Sequence, residues 1–409
     1  MSRAGDAPDR MVGRSVGRPI PSHQCAGDVG RVAEFGSVKR ESGAQVCPTT
    51  TPTIPPNKTE APTHAPNSSV RCSIADRRGW PRGRAARLLI LFASVSVTLA
   101  LYHTQRRRTL TFSDRACVSL PLRLPDPVDG KSWTADGPLL RVVGHRGSGG
   151  THVENTLGAL EEAAHTSGFL ELDIDISRDG QVVLVHDPTL RHLTQGALDG
   201  PACVYNWSGT LSRARVTQDA GRFPPAPLAR LADVLAQHGN RVAYMIDVRE
   251  CTGCADCDAL LAQTAALLRQ YRIDVPRRVI FSSKSGSILR LAKRLLADRP
   301  PFCTLSCDWR RYGWRSARHL QDALERAAAD GISAQLALVH SRPRMVRRAL
   351  AAACAHADEP VDVAVATRGF VWTVNTQQDA EWLWCSGWRN VISDSPRRLL
   401  RVAQETVSR

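Results

Sequence analysis

Over residues 1 to about 80 this chain of 409 residues has almost no apolar periodicity, and TTTPTIPPNKTEAPTHAPNSS within it is a low-complexity tract. Such a segment cannot bury enough apolar surface to offset the entropy of ordering it, which excludes a packed domain there and predicts disorder. An acid-poor composition is missing as well. Asp6, Asp9, Asp28, Glu34 and Glu41 interrupt the Arg- and Ser-rich pattern and weigh against an organellar transit peptide. No recognisable nucleic-acid module is present either, although the formal net charge is +15. Much of that excess lies in the amino-terminal tail and beside one apolar run, and the rest is spread over helix faces. The expected partner of the positive charge is therefore a membrane surface, with no nucleic acid.

That apolar run is Leu88–Tyr102, LLILFASVSVTLALY, bracketed by Arg82, Arg84 and Arg87 before it and by Arg106, Arg107 and Arg108 after it. At ~1.5 Å rise per residue it is short for a hydrocarbon layer of ~30 Å, but Ala85, Ala86 and snorkelling arginines lengthen it. A buried core helix would show a polar face, and this run offers only small hydroxyls. The reading is a single transmembrane helix over 85–105, between a disordered tail (1–84) and a linker (106–137). Arginine is denser on the amino side, where Arg71, Arg77 and Arg78 add to the bracket, so the positive-inside rule leaves the tail cytosolic and sends the rest to the lumen or exterior. The sequon Asn206-Trp207-Ser208 agrees with that orientation, whereas Asn57-Lys58-Thr59 and Asn67-Ser68-Ser69 lie on the opposite side, and both sets cannot be used at once.

From residue 138 to 402 short apolar strands alternate with helical stretches. Strand candidates are Leu140–Gly144, Leu170–Ile176, Val182–Val185, Val242–Val248, Arg278–Phe281, Thr304–Cys307, Ile332–Val339, Phe370–Val374 and Asn390–Ser393. Helical periodicity lies between them at Leu228–Gln237, Ala259–Tyr271, Ser287–Ala297, Ala317–Ala329 and Met345–His356. This alternation predicts an α/β fold, a parallel sheet closed into a (β/α)8 TIM-type barrel. Nine candidates for eight places leave one strand irregular or outside the barrel.

Candidate chemistry concentrates between Gly144 and Asp187. Period-two alternation sends Glu171 and Asp173 to one side of their strand, where two like charges repel unless a cation lies between them. A hard divalent ion with oxygen ligands, Ca²⁺ or Mg²⁺, is the natural occupant. His145 and His186 fall at strand ends, where acid–base groups of barrels are placed. Farther on, Asp247 and Arg249 alternate in the same way and add a carboxylate and a cation at the barrel mouth.

At these residues the sequence resembles the glycerophosphodiester phosphodiesterase family. The resemblance rests on His145-Arg146-Gly147, Glu154-Asn155-Thr156, Glu171-x-Asp173, Asp179-Gly180, His186-Asp187, and Thr189-Leu190 followed by Gly196. It continues through Trp372-Thr373-Val374-Asn375 and Ser393-Asp394-Ser395-Pro396. His192 stands where the family often has Arg, and Asp247-x-Arg249 where many relatives have Glu-x-Lys, a feature similar to the membrane-anchored, lysophospholipase-D-type members. The resemblance implies the same barrel, with a small insertion after the third strand that the break at Thr194–Pro224 would hold. It implies metal held by Glu171, Asp173 and Asp247, phosphate gripped by Arg146 and Arg249, Trp372 lining the pocket floor or contacting the substrate backbone, and proton transfer by His145 and His186, although by its size alone Trp372 could equally be a core aromatic. Glu154 and Asn155 would fix the first loop. The expected substrate is a phospholipid-derived phosphodiester, cleaved to glycerol 3-phosphate and an alcohol, or a lysophospholipid cleaved to lysophosphatidic acid. A dead barrel serving as a tethered binding protein would lack a histidine or carboxylate, and all are present.

Cys251, Cys254 and Cys257 form C-x2-C-x2-C without the second pair that a structural zinc site needs. Loop disulfides and free thiols remain as the alternatives. Nine cysteines follow the apolar run, so at least one stays unpaired.

Overall fold

The structure, a computed structural model, describes residues 139–408 apart from 219–220, 252–253 and 355–358. The expected tail, transmembrane helix and linker lie outside the described residues, and among these no helix is long and apolar enough to cross a membrane.

Eight parallel strands close into the barrel: β1 (Arg141–Gly144), β2 (Phe169–Ile176), β6 (Ala243–Val248), β7 (Val279–Ser283), β8 (Phe302–Cys307), β9 (Gly331–Gln335), β10 (Gly369–Trp372) and β11 (Asn390–Ser393). Closure comes where β1 meets both β11 and β2, with Gly144 opposite Leu170. The ninth strand, β3 (Val182–Leu184), runs antiparallel to β2 outside the barrel. Its three residues are all buried, which is why its apolar pattern matches that of a barrel strand.

The predicted strand Ile332–Val339 needs correction. β9 ends at Gln335 and the chain turns directly into a helix, Leu336–Ser341. Apolar residues continue across that boundary, so composition alone does not mark the change of period. The insertion follows β3, the third strand of the chain but not of the barrel. It consists of short 3₁₀ turns and the two-residue strands β4 (Arg215–Val216) and β5 (Ala226–Pro227), over a small core of its own that includes Val183, Leu190, Leu193, Leu211 and Val216.

Strand parity divides the packing. One face of each strand joins the helices in the main core, for example Leu170, Leu172, Ile246 and Phe281. The other faces inward, where Val143, Phe169, Ala243, Met245, Ile280, Phe370 and Ile392 fill the barrel. The same inward rows continue toward the carboxyl ends as Glu171 and Asp173, then Asp247, Ser282, Ser306 and Ser333, so the plug changes from apolar to polar at the end where barrel sites are built.

Candidate active site

The turn after β1 is the tightest part of the site. A Cβ on Gly144 would lie 2.3 Å from the carbonyl oxygen of Gly147 and 2.6 Å from the Ala163 side chain, so only glycine fits there. Arg146 and Gly147 follow with φ of 50° and 85°, a left-handed turn that is costly for arginine. It directs the Arg146 amide to the Glu171 carboxylate at 2.6 Å.

Register explains the acidic cluster. Asp173 on β2 is paired with Asp247 on β6, and Asp247 with Ser282 on β7. Glu171, two residues back, shares the face, and ligand atoms of all three carboxylates lie within 4.8 Å of one another. Burial and then repulsion from Asp173 and Asp247 push the Glu171 carboxyl well above its usual range, against the opposing charge of Arg146. Burial and the Asp173 charge likewise push Asp247 up to about 7, opposed by the Ser282 hydroxyl at 3.2 Å and by the charges of Lys284 and Arg146. The residues fit a hard divalent cation: oxygen donors only, clustered, and held apart from their preferred ionised state.

Arg146 lies within this cluster. Its Nη1 donates to Glu154 at 2.6 Å and its Nε lies 3.3 Å from Asp173. Burial opposes its charge, but Asp173, Glu154 and Glu171 together raise its pKa further. Asn155 braces the same carboxylate, donating to Asp173 Oδ2 at 2.9 Å and accepting from the Asp173 amide at 3.1 Å. Glu154 and Asn155 therefore act on the first loop through Arg146 and Asp173.

Each histidine has a carboxylate partner. His145 Nδ1 is 2.6 Å from Asp394 Oδ1, and His186 Nδ1 is 2.9 Å from Asp187 Oδ1. Burial works against ionisation of Asp394, yet hydrogen bonds from His145 and Asn375 and the charges of His145 and Arg146 hold its carboxyl below the usual range. An ionised carboxylate only accepts, so the shared proton belongs to His145 Nδ1 and Nε2 is left as the nitrogen that exchanges protons. Asn375 donates to Asp394 Oδ2 at 2.6 Å and fixes the pair from behind. Asp394 received no role from sequence, although its place directly after β11 is the signal that marks catalytic positions in barrels.

Arg249 sits exposed at the rim, its Nη1 donating to the carbonyl of His186. Trp372, at the end of β10, donates its indole N–H to the Ser333 carbonyl at 3.0 Å and packs against the inward plug while lining the cavity. The cavity measures about 460 Å³ and gathers all eight candidate residues: His145, Arg146, Glu171, Asp173, His186, Asp247, Arg249 and Trp372. It also takes in Lys284, which sequence reading passed over.

Two disulfides border it. Cys203 in the insertion is joined to Cys254, and Cys251 to Cys257. All three cysteines of the C-x2-C-x2-C motif are thereby used, so it holds no zinc. Cys303, Cys307 and Cys354 are free.

Three clustered carboxylates and two histidine–carboxylate pairs thus share one end of the barrel, beside a cavity lined also by Arg146, Arg249 and Lys284. The chain belongs to the Glycerophosphoryl diester phosphodiesterase family, whose model matches residues 145–398. Among similar proteins, human lysophospholipase D GDPD3 is 27% identical over 174 residues, which is 41% of this chain and 52% of that protein. A Bacillus altitudinis glycerophosphodiester phosphodiesterase is 35% identical over 57 residues, 14% of this chain and 23% of its own length. The chain thus spans about half or less of these relatives' length. In fold it is similar to an Oleispira antarctica phosphodiesterase solved with the product sn-glycerol-3-phosphate, with a TM-score of 0.51 and 22% identity, the match covering 64% of this chain and 96% of that one.

Proposed function

We propose that this chain hydrolyses glycerophosphodiesters to glycerol 3-phosphate and an alcohol. The observation that carries this reading is the convergence of His145 with Asp394, and of His186 with Asp187, on the cavity that holds the Glu171, Asp173 and Asp247 cluster. A divalent cation bound by these carboxylates would supply positive charge to the phosphoryl oxygens as charge grows there. Arg146 and Arg249 add positive charge on either side of the phosphate, Arg146 through a guanidinium kept ionised by its acidic neighbours. One histidine takes the proton of the attacking oxygen and the other returns a proton to the leaving alkoxide, each held by its aspartate. Trp372, anchored through its indole N–H, gives the substrate a fixed wall.

A second substrate is favoured by one feature. Ile174, Pro188, Pro201, Ala255 and Leu260 line the same cavity beside the charged groups. Such a flank suits an acyl chain next to a phosphodiester, in keeping with the lysophospholipase D name of the human relative. Glycerol 3-phosphate release from a deacylated diester, measured against lysophosphatidic acid release from the matching lysophospholipid, tests both. Product from the deacylated diester is expected. Release from neither substrate would overturn the assignment.

The same proposal places the barrel on the lumenal or exterior side of a membrane, tethered through 85–105. Support comes from the paired cysteines, which persist in oxidising compartments, and from Asn206, which is exposed in the insertion. Asn206 is expected to carry a glycan removable by glycosidase, with none at Asn57 or Asn67. A mobility shift lost on Asn57→Gln or Asn67→Gln, and unchanged by Asn206→Gln, would reverse the orientation.

A further inference from the structure

The loop after β8, which opens with one helical turn at Trp309–Tyr312, carries the most exposed large apolar side chain among the described residues, Trp314, at 75% exposure. It stands in Trp309-Arg310-Arg311-Tyr312-Gly313-Trp314-Arg315-Ser316-Ala317-Arg318, four arginines with no acidic residue. Arg310, Arg311, Arg315 and Arg318 are all exposed. Arg318 is paired with Asp322 at 2.9 Å, whereas no ion pair among the described residues engages Arg310 or Arg315.

Trp314 is not a loose side chain. Its ring meets that of half-buried Trp309 edge-on, with centroids 5.1 Å apart. Gly313 allows this approach, since a Cβ there would lie 2.6 Å from the Trp309 carbonyl oxygen, and the Gly313 carbonyl is bound by Arg342 Nε at 3.0 Å. The indole is thus held outward at a cost in exposed apolar surface that packing within the chain does not recover.

The patch adjoins the catalytic cavity. Arg311 Nη1 donates to the carbonyl of Lys284 at 3.1 Å and lies 3.8 Å from Glu250, and both Lys284 and Glu250 line that cavity. Lys284 itself reaches Asp308, which opens the loop, at 3.1 Å.

We infer that the Trp309–Arg318 loop docks the barrel mouth onto an anionic phospholipid surface, Trp314 entering the headgroup layer and Arg310 and Arg315 pairing with lipid phosphates. An indole suits that layer because its body is apolar and its N–H polar, and Arg310 and Arg315, exposed and engaged by no ion pair among the described residues, are complementary to lipid phosphates. For the purpose of docking, the inference relies on the preceding functional reading only in taking the substrate to come from that surface. Contact along this rim lets a lysophospholipid pass from the leaflet into the cavity with little exposure of its acyl chain.

The test uses the full chain with vesicles of phosphatidylcholine, with or without phosphatidylserine, carrying a brominated lipid that quenches tryptophan emission at headgroup depth. Wild type is expected to be quenched more on the phosphatidylserine vesicles. Trp314→Phe removes that component of the quenching, and Arg310→Glu with Arg315→Glu weakens binding to these vesicles by about tenfold or more. Turnover of a soluble deacylated diester stays unchanged in both variants, which reports that they are folded. Equal quenching and binding for wild type and variants overturns the inference, as does displacement of the loop's contacts by RNA or self-association in place of vesicles. Quenching as expected, in a chain that cleaves no phosphodiester, leaves docking standing and removes the functional reading instead.

Discussion

Excess chelator is expected to abolish hydrolysis, and Ca²⁺ or Mg²⁺ to restore it. Three carboxylates with ligand atoms within 4.8 Å of one another repel in a buried space, and the nearby guanidinium of Arg146 already serves Glu154 as well. A divalent cation removes that repulsion and makes the cluster usable near neutral pH. The sign of the pH effect follows from Asp247. Its pKa is raised from 3.8 to about 7, so the cation-free folded chain holds a proton that the unfolded chain releases. The stability this contributes is fully present below 3.8 and is lost as pH rises through about 7, and Glu171 acts in the same direction. Melting in chelator is therefore expected to shift to lower temperature across that window. Added divalent cation reverses the shift at its neutral end and does little at its acid end, where protons occupy the site. Full activity in chelator, or a melting temperature that climbs with pH across the window, would take the cation out of this site.

Replacement of His145 or His186 by Ala is expected to lower turnover by about 10²-fold or more, the scale of a lost general acid or base. The two are distinguishable through their partners. Asp394→Asn keeps the shape beside His145 but removes the charge that assigns the Nδ1 proton, and a loss of about tenfold or more in kcat should follow with KM little changed. His186 is 35% exposed against 17% for His145, and Asp187 bonds a neighbour in sequence whereas Asn375 braces Asp394 from behind, so Asp187→Asn should cost less. Effects of tenfold or less at both histidines, measured on purified enzyme with saturating cation, would refute their roles.

Much of the barrel was legible because a parallel strand buried on both faces reads as a short apolar run, and a helix covering it repeats every three to four residues. The Glu171–Asp173 pair was legible for a related reason, since spacing of two on a strand needs no tertiary information to share a face. Strand β3 was misleading for the same physics: burial outside the barrel, with Val182 and Leu184 in the main core and Val183 in the core of the insertion, gave it an apolar pattern.

Local sequence by itself determined the inward carboxylates, the strand-end histidines, and the apolar run at Leu88–Tyr102 as a candidate anchor. Only the tertiary structure decided which distant residues meet. Register across β2 and β6 brought Asp247 opposite Asp173, and barrel closure brought Asp394, 249 residues away, to His145. Folding of the insertion joined Cys203 to Cys254. It also revealed that Trp314 packs outward beside the cavity mouth. The physical reason is common to all four: period and propensity act over a few residues, whereas pairing across strands, closure of the barrel and exposure of a side chain depend on where the rest of the chain lies.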